Sequence, residues 1–274
     1  MNRPRLLLWL ISGDCPLARV APRVGIDRVL VDLERLGKAE RQKNRQLFLS
    51  EHDWQDIAAL RPVLPRGALF VRLDPLHADS RAQIEQAIAH QPDGLMLPYF
   101  HDADTVARFT DMVRGRASVT PLVETVGAVR SLGKLLSSGL IAEFHVGLND
   151  LALDMGLPSL QQLWGHPMLD EIAVVAAEAG IPFGLGGVTD PRVRGLPVDP
   201  RFVISEQRRL NSTRALLGRS FKSPFREPLN EEAVRATTAA VRRAYRRAGT
   251  EITPSPDGLE GRPVPKPSAP RPRP

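Results

Sequence analysis

The chain has 274 residues, is 42% hydrophobic and 25% charged, and carries a formal net charge of +6. Those proportions fit a globular protein with a substantial core. Aromatics are only 5% and no basic run is interleaved with them, which argues against nucleic acid as a partner and leaves a solvated basic surface or an attraction for acidic small molecules. A single cysteine, Cys15, excludes a disulfide framework and cysteine-based zinc sites, and the reducing cytoplasm is the expected compartment.

Arg5 to Ile11 is the first predicted strand. Its apolar run is too short to span a bilayer, and Asp14 follows it without the cleavage site of a signal peptide, so no membrane association is expected. Asp14 is placed to cap a helix with Pro16 in its first turn. Leu17, Val20, Ala21 and Val24 carry the helical period, Pro22 shortens or kinks it, and Gly25 ends it. Arg28 to Glu34 is the second strand, followed by a polar stretch to Arg45. Ser50 and Asp53 read as a capping box for a helix carrying Trp54, Ile57 and Leu60.

Gly67 to Asp74 is the third strand, with Ile84, Ala87 and Ile88 on its helix. Gly94 to Tyr99 is the fourth, with Val106, Phe109 and Val113. Ser118 to Glu124 is the fifth, an apolar and β-branched run ending in a carboxylate, and Val129, Leu132, Leu135 and Leu136 mark its helix. Glu143 to Asp150 is the sixth strand, again ending in an acid. Leu169, Ile172, Ala173 and Ala176 form a helix closed by Gly180 and Pro182. Pro182 to Val188 is the seventh strand, Phe202 to Ser205 a short extended piece, and Arg214 to Phe221 the eighth strand. Glu231 to Arg247 is the last helix, with Val234, Val241 and Tyr245 on one face.

Eight alternations of strand and helix at this length predict an α/β fold, a (β/α)8 TIM barrel, rather than an open doubly wound sheet. Ser12-Gly13-Asp14 is not the glycine-rich phosphate turn that an open sheet would favour. Residues 1–249 form the expected barrel domain. From about Thr250 prolines crowd the chain, and 250–274 is expected to be a disordered tail.

In such a barrel the chemistry sits where strands end. The polar residues there are Asp32, Glu34, Arg72, Asp74, Glu124, Asn149 and Asp150. Strand alternation points Asp32 and Glu34 the same way. Four acids and one arginine at one mouth are too many unbalanced charges for a structural core, and a divalent cation with an anionic ligand would balance them. Oxygen-only ligands favour magnesium or manganese over zinc. Each acid taken singly also reads as a helix cap or a loop ion pair. Asp74 before Pro75 reads as a turn residue. His145, with parity opposite to Asp150, is expected to pack behind the barrel.

Val31-Asp32-Leu33-Glu34, Val71-Arg72-Leu73-Asp74-Pro75, Gly94-Leu95-Met96-Leu97-Pro98, Leu122-Val123-Glu124-Thr125 and Val146-Gly147-Leu148-Asn149-Asp150-Leu151 occur in a characteristic order. In that order and spacing the chain, from about residue 5 to 222, resembles the HpcH/HpaI aldolase and citrate lyase beta-chain family of the phosphoenolpyruvate/pyruvate superfamily. It looks closest to a subgroup sharing Leu36-Gly-Lys-Ala-Glu-Arg-Gln42 and Glu206-Gln-Arg-Arg-Leu-Asn-Ser212.

The resemblance implies a divalent metal, Mg2+ or Mn2+, held by Glu124 and Asp150. It implies that Arg72 binds the carboxylate and enolate oxygens of a pyruvate-like ligand, with Glu34 and Asp32 lining the catalytic site. Backbone near Gly94 to Pro98 and at Gly186 and Gly187 is expected to approach the ligand. The implied activity is a metal-dependent carbon–carbon lyase or aldolase acting through a pyruvate-like enolate on a 2-oxo acid or related substrate, in the direction of cleavage or of synthesis. The alternatives are a hydrolase or transferase of an acyl-CoA or phosphoenolpyruvate-type substrate, and a non-catalytic barrel. One position departs from the family. Where the aldolase branch has His and the citrate lyase branch Asp after the strand-two Glu, this chain has Arg35. The general base is therefore open between a metal-bound water, Glu34 through a water and, more weakly, Lys38. A homo-oligomer, with the last helix packing on a neighbour, is expected.

Overall fold

A computed structural model describes residues 5–41, 50–218, 221 and 229–248. Eight parallel strands close into a barrel in chain order: β1 (Leu7–Ile11), β2 (Arg28–Asp32), β3 (Leu69–Arg72), β4 (Gly94–Leu97), β5 (Ser118–Val123), β6 (Phe144–Val146), β7 (Phe183–Val188) and β8 (Arg214–Leu217). β8 pairs back onto β1, with Leu8 opposite Ala215, so no sheet edge is left open. Around the barrel lie α1 (Cys15–Val24), α2 (Lys38–Arg41), α3 (Trp54–Leu60), α4 (Ser80–Ala89), α5 (Ala103–Val113) and α6 (Val126–Arg130). α7 (Leu132–Ser137), α8 (Leu148–Asp154), α9 (Pro167–Ala179), α10 (Pro200–Arg209) and α11 (Glu231–Arg247) complete the ring. The proline-rich tail expected after Thr250 lies outside the described residues. Among the described residues no helix is long and apolar enough to cross a membrane.

Strand alternation divides the core in two. Leu8, Leu10, Val29, Val31, Leu69, Val71, Leu95 and Leu97 face outward and pack on the helices. Trp9, Leu30, Phe70, Met96 and Leu122 face the barrel axis and fill it. Gly94 opens β4 at the far end from the strands' carboxyl termini, where a Cβ would come within 2.2 Å of the Phe70 ring. It makes room for Phe70 and does not line the expected ligand site.

The helix starts follow their caps. Asp14 accepts from the Leu17 amide at 2.8 Å, and Gly25 closes α1 at φ 88°. Thr125 caps α6 through the Ala128 amide at 3.0 Å and donates to Phe100 O at 2.7 Å. α3 is capped by Asp53 and Asp56, each accepting from the other's backbone amide, and not by the Ser50–Asp53 pair expected from spacing.

Three further expectations change. Phe202 to Ser205 belongs to α10 and is not extended: Asp199 caps that helix and Pro200 starts it, so the local β-branched pair Val203-Ile204 is overridden. The residues after β5 form two short helices that meet at Ser131. β6 stops at Val146, and the chain turns at Gly147 into α8, so Asp150 stands in the first turn of a helix and does not end a strand. The Glu206–Ser212 motif is a fastener. Gln207 Nε2 donates to Leu185 O at 2.9 Å, Arg209 pairs with Glu206 at 2.9 Å, and Ser212 Oγ donates to Phe183 O at 3.2 Å.

Candidate active site

Asp32 ends β2 and Arg72 ends β3, and the sheet register sets them side by side. Arg72 Nε donates to Asp32 Oδ1 at 2.8 Å and Nη2 to Oδ2 at 2.6 Å, a bidentate fork that fixes the guanidinium plane. Glu34, two residues beyond Asp32 on the same side, has its Oε2 3.4 Å from Arg72 Nε. Lys38, the first residue of α2, closes the figure. Its Nζ lies 3.0 Å from Asp32 Oδ2 and 3.1 Å from Glu34 Oε2. Asp32, Arg72, Glu34 and Lys38 thus alternate in sign around a ring in which no side chain is more than 11% exposed.

Burial disfavours the Asp32 carboxylate, but Arg72 and then Lys38 outweigh it and hold the group well below the usual carboxylate range. Burial likewise opposes the charge on Arg72, and Asp32 and Glu34 more than restore it. The backbone is fixed as well. The Asp32 amide donates to His52 Nδ1 at 3.0 Å, and Asp74 Oδ1 accepts from the amides of Arg35 and Leu36 at 2.6 and 2.8 Å. Asp74 is therefore the turn residue expected. Arg35 is exposed and turns to His52 O at 2.6 Å.

Glu124 follows β5 directly and is 1% exposed. Its Oε1 accepts from the Tyr99 amide at 2.8 Å, so the backbone just past the buried Pro98 fixes the carboxylate. Its Oε2 lies against Gly147, where a Cβ would stand only 2.2 Å away. Glycine at the end of β6 thus lets the chain close down on the acid. Burial, then Glu34, then Asp150 push the Glu124 carboxyl well above its ordinary range, and Arg72 and the Tyr99 amide offset this only in part. Asp150 is buried at 9% exposure in the first turn of α8.

The charges sort into two groups. Asp32, Glu34, Arg72 and Lys38 are formally neutral together, and Glu124 and Asp150 form a second, acidic pair that shares a mutual repulsion. An oxygen-only pair of carboxylates suits a hard divalent ion. Among the described residues no group of three or more His, Cys, Asp or Glu is arranged to hold a metal. A two-carboxylate site leaves the other coordination positions to water and ligand, as Mg2+ often requires.

Gly186 and Gly187 lie in a bulge of β7, where the register with β8 shifts between Leu185 and Val188. A Cβ on Gly186 would meet nothing within 4 Å, and Gly187 has φ 84°. His145 is not behind the barrel. It points to the axis, 4.6 Å from the Trp9 ring, on the far side of the core from the acids. Two residues of the site carry little or no signal in the sequence. Lys38 is four residues from Glu34, a spacing that signals a pair only once α2 is known. His52 reaches Asp32 through the backbone, and no sequence pattern announces that.

Residues 5–181 match the family model described as HpcH/HpaI aldolase/citrate lyase. No curated protein matches the sequence. Among solved structures, protein CitE from Mycobacterium tuberculosis in complex with magnesium and acetoacetate is similar at TM-score 0.60 and 19% identity, over 92% of this chain and 95% of its own. An HpcH/HpaI aldolase/citrate lyase family protein from Burkholderia cenocepacia J2315 is similar at TM-score 0.60 and 14% identity, over 87% and 94%. The HpcH/HpaI aldolase from Desulfitobacterium hafniense DCB-2 gives TM-score 0.56 at 14% identity, over 78% and 86%. At these identities the likenesses establish a shared fold. With the family match across most of the barrel, the chain belongs to the HpcH/HpaI aldolase/citrate lyase family.

Proposed function

We propose that the chain is a divalent-metal-dependent carbon–carbon lyase that cleaves a 2-oxo acid through a pyruvate-like enolate. The observation that carries this is the pair of buried carboxylates, Glu124 and Asp150, at the mouth that also holds an arginine locked in plane by Asp32. Mg2+ or Mn2+ held by Glu124 and Asp150 would supply Lewis acidity at the carboxylate and keto oxygens of the substrate.

The chain's own residues do the rest. Asp32 engages Nε and Nη2 of Arg72, which leaves the Nη1 donors for an anionic ligand. Arg72 therefore orients the substrate carboxylate and faces the negative charge that develops when the bond between C3 and C4 breaks. The bulge at Gly186 and Gly187 gives the ligand room. With Arg35 turned away, the proton leaving the substrate's C4 hydroxyl goes to Glu34 through a water. The electron pair of the broken bond enters the enolate, the aldehyde departs, and a proton returned to C3 completes pyruvate.

The test uses the full chain, stripped with a chelator and reloaded with Mg2+ or Mn2+. The assay follows pyruvate release from a panel of 4-hydroxy-2-oxo acids and cleavage of CoA thioesters. Pyruvate release that needs the metal and is lost in Glu124→Gln and Asp150→Asn is expected, with a loss of about a thousandfold or more. Thioester cleavage without pyruvate release would replace the lyase with an acyl-CoA enzyme. No divalent binding by calorimetry, together with no effect of Glu124→Gln, would remove the metal from the account.

A further inference from the structure

The last turn of α1 and one face of α11 line a groove of about 320 Å3. Five of its residues are arginines: Arg23 from α1, and Arg235, Arg242, Arg243 and Arg246 from α11. None of the lining residues is acidic or aromatic. Arg235, Arg242 and Arg246 recur at i, i+7 and i+11, which keeps them on one helix face. Thr238 on that face donates to Val24 O and ties the two walls together. Gly25 closes α1 and the chain enters β2 at Arg28, so the groove lies at the end of the barrel opposite Glu124 and Asp150.

The helix gains little from these arginines. Arg242 and Arg246 are like charges at i,i+4, and Arg243 and Arg246 at i,i+3, both weakly destabilising. The macrodipole favours Arg246 in the last turn, but not Arg235 or Arg242. Acids do not answer them either. Arg23 pairs with Glu231 at 3.1 Å, and Arg235 Nη1 donates to Arg23 O at 2.7 Å. Arg242 Nε donates to Leu6 O at 3.2 Å, and its Nη2 pairs with Asp27, which Arg5 shares. Among the described residues the ion pairs of these six arginines use only two carboxylates, Asp27 and Glu231. Arg243, Arg246 and Nη1 of Arg242 have no hydrogen bond or ion pair there. That Nη1 lies against Gly25, where a Cβ would stand only 2.6 Å away. Burial holds the Arg242 guanidinium below its ordinary range. Asp27 opposes this, and Arg5 and Arg246 add to it.

We propose that the groove binds a polyphosphate chain, the di- or triphosphate of a small molecule, at a site separate from the proposed active site. Guanidinium forks match phosphate oxygens two by two, and several arginines around one groove suit an anion of high charge better than a single carboxylate. The volume is that of a small-molecule site. With no aromatic in the lining there is no platform on which a base could stack, so the site reads the phosphates and not a nucleobase. The same absence sets it apart from a groove for single-stranded nucleic acid. The ligand would bridge α1 to α11, and its binding does not depend on a metal at the other mouth.

The experiment titrates the full chain, stripped of divalent ions and dialysed into physiological salt, with inorganic triphosphate by calorimetry. Saturable binding and a rise in Tm with triphosphate concentration are expected. Arg243→Gln and Arg246→Gln, both at exposed positions, should each weaken binding about tenfold. Glu231→Gln, which releases Arg23, should tighten it about threefold. Adenosine triphosphate should bind within about threefold of inorganic triphosphate, and orthophosphate at least about tenfold more weakly. A control with Arg81→Gln and Arg108→Gln removes two exposed charges from α4 and α5, and should leave the affinity within about twofold of wild type. A wild type without saturable binding overturns the proposal. So does triphosphate binding that survives Arg243→Gln with Arg246→Gln, or that falls as far in the α4–α5 control. Adenosine triphosphate or a single-stranded oligonucleotide that binds more than about tenfold more tightly than inorganic triphosphate would show that a base is read, and would overturn it as well.

Discussion

The barrel carries a buried ionic cluster at each mouth, and the two differ in kind. At the amino ends of the strands, Glu143 sits between Arg28 and Arg214. Arg28 forms an ion pair with it, and Arg214 Nε donates to it at 2.8 Å. Arg28 also lies over the rings of Trp9 and Phe70, 4.7 and 4.6 Å from their centroids. Burial works against the Glu143 carboxylate, but Arg28 and Arg214 outweigh it and hold the group below its ordinary range. The surplus here is one positive charge. It rests on aromatic faces and on arginines that remain 18–21% exposed. At the carboxyl ends the acids Glu124 and Asp150 face each other at 1% and 9% exposure, and their repulsion adds to the burial that raises the Glu124 carboxyl. Charge inside a barrel is therefore no sign of function in itself. What marks the upper mouth is two acids buried to 1% and 9% exposure, Glu124 among them with its carboxyl pushed well above the ordinary range by burial, Glu34 and Asp150.

Substitutions at the two mouths separate these cases, and the largest effect belongs to the upper ring. Asp32→Asn removes the paired carboxylate that holds Arg72 and Lys38 and leaves these two buried cations with Glu34 as their remaining ion-pair partner in the ring. Unfolding free energy should fall by about 4–5 kcal/mol, and the metal-dependent activity should fall with it. Denaturant unfolding and the pyruvate assay on the same preparation check both. Glu143→Gln at the lower mouth leaves two arginines without their shared acid. Because water reaches them, a cost of about 3 kcal/mol is expected, with Mn2+ affinity and kcat unchanged. If Glu143→Gln shifted metal affinity as much as Asp32→Asn, the two mouths would have to be treated as one electrostatic unit.

The barrel and most of its acids were legible in the sequence because parallel strands covered on both faces read as apolar runs. Val29–Val31, Leu69–Val71 and Leu95–Leu97 are such runs, and whatever polar residue follows them stands at the mouth. The parity of Asp32 and Glu34 held for the same reason. It does not hold at β6. The chain leaves the strand at Val146, and strand parity has no meaning in the helix that carries Asp150, so the parity of Asp150 says nothing of the side on which His145 lies. α10 was missed because Val203-Ile204 has strand propensity, while Asp199-Pro200, the stronger signal, lies outside the run. Lys38 follows a turn whose Arg35 and Leu36 amides are held by Asp74, itself bound by Gln83 from beyond β3, and His52 reaches the Asp32 amide from the start of the α3 segment; local pattern carries no trace of either contact.

His145 gives the smallest effect and the sharpest reading of the lower half. It lies between the aromatic core and Glu143, is 1% exposed, and among the described residues neither ring nitrogen has a hydrogen-bond partner. Gly184 gives it space, since a Cβ there would stand 2.4 Å from the ring. Burial pushes the imidazole down from 6.5 to about 4. Glu143 pulls it upward, and Arg28 and Arg214 press it further down. The folded protein therefore keeps His145 neutral where the unfolded chain already takes up a proton. Its contribution to stability is complete above pH 6.5 and is lost as pH falls towards about 4. By pH 5 the loss is about 2 kcal/mol. His145→Leu should remove that share of the slope when urea unfolding is measured from pH 7 to pH 4.5. Glu143→Gln should extend the window to lower pH, because the one group that favours the imidazolium is gone. A wild type and His145→Leu with parallel pH profiles would show that the imidazole is hydrated or paired in the folded chain. The contrast between the two mouths would then rest on the acids alone.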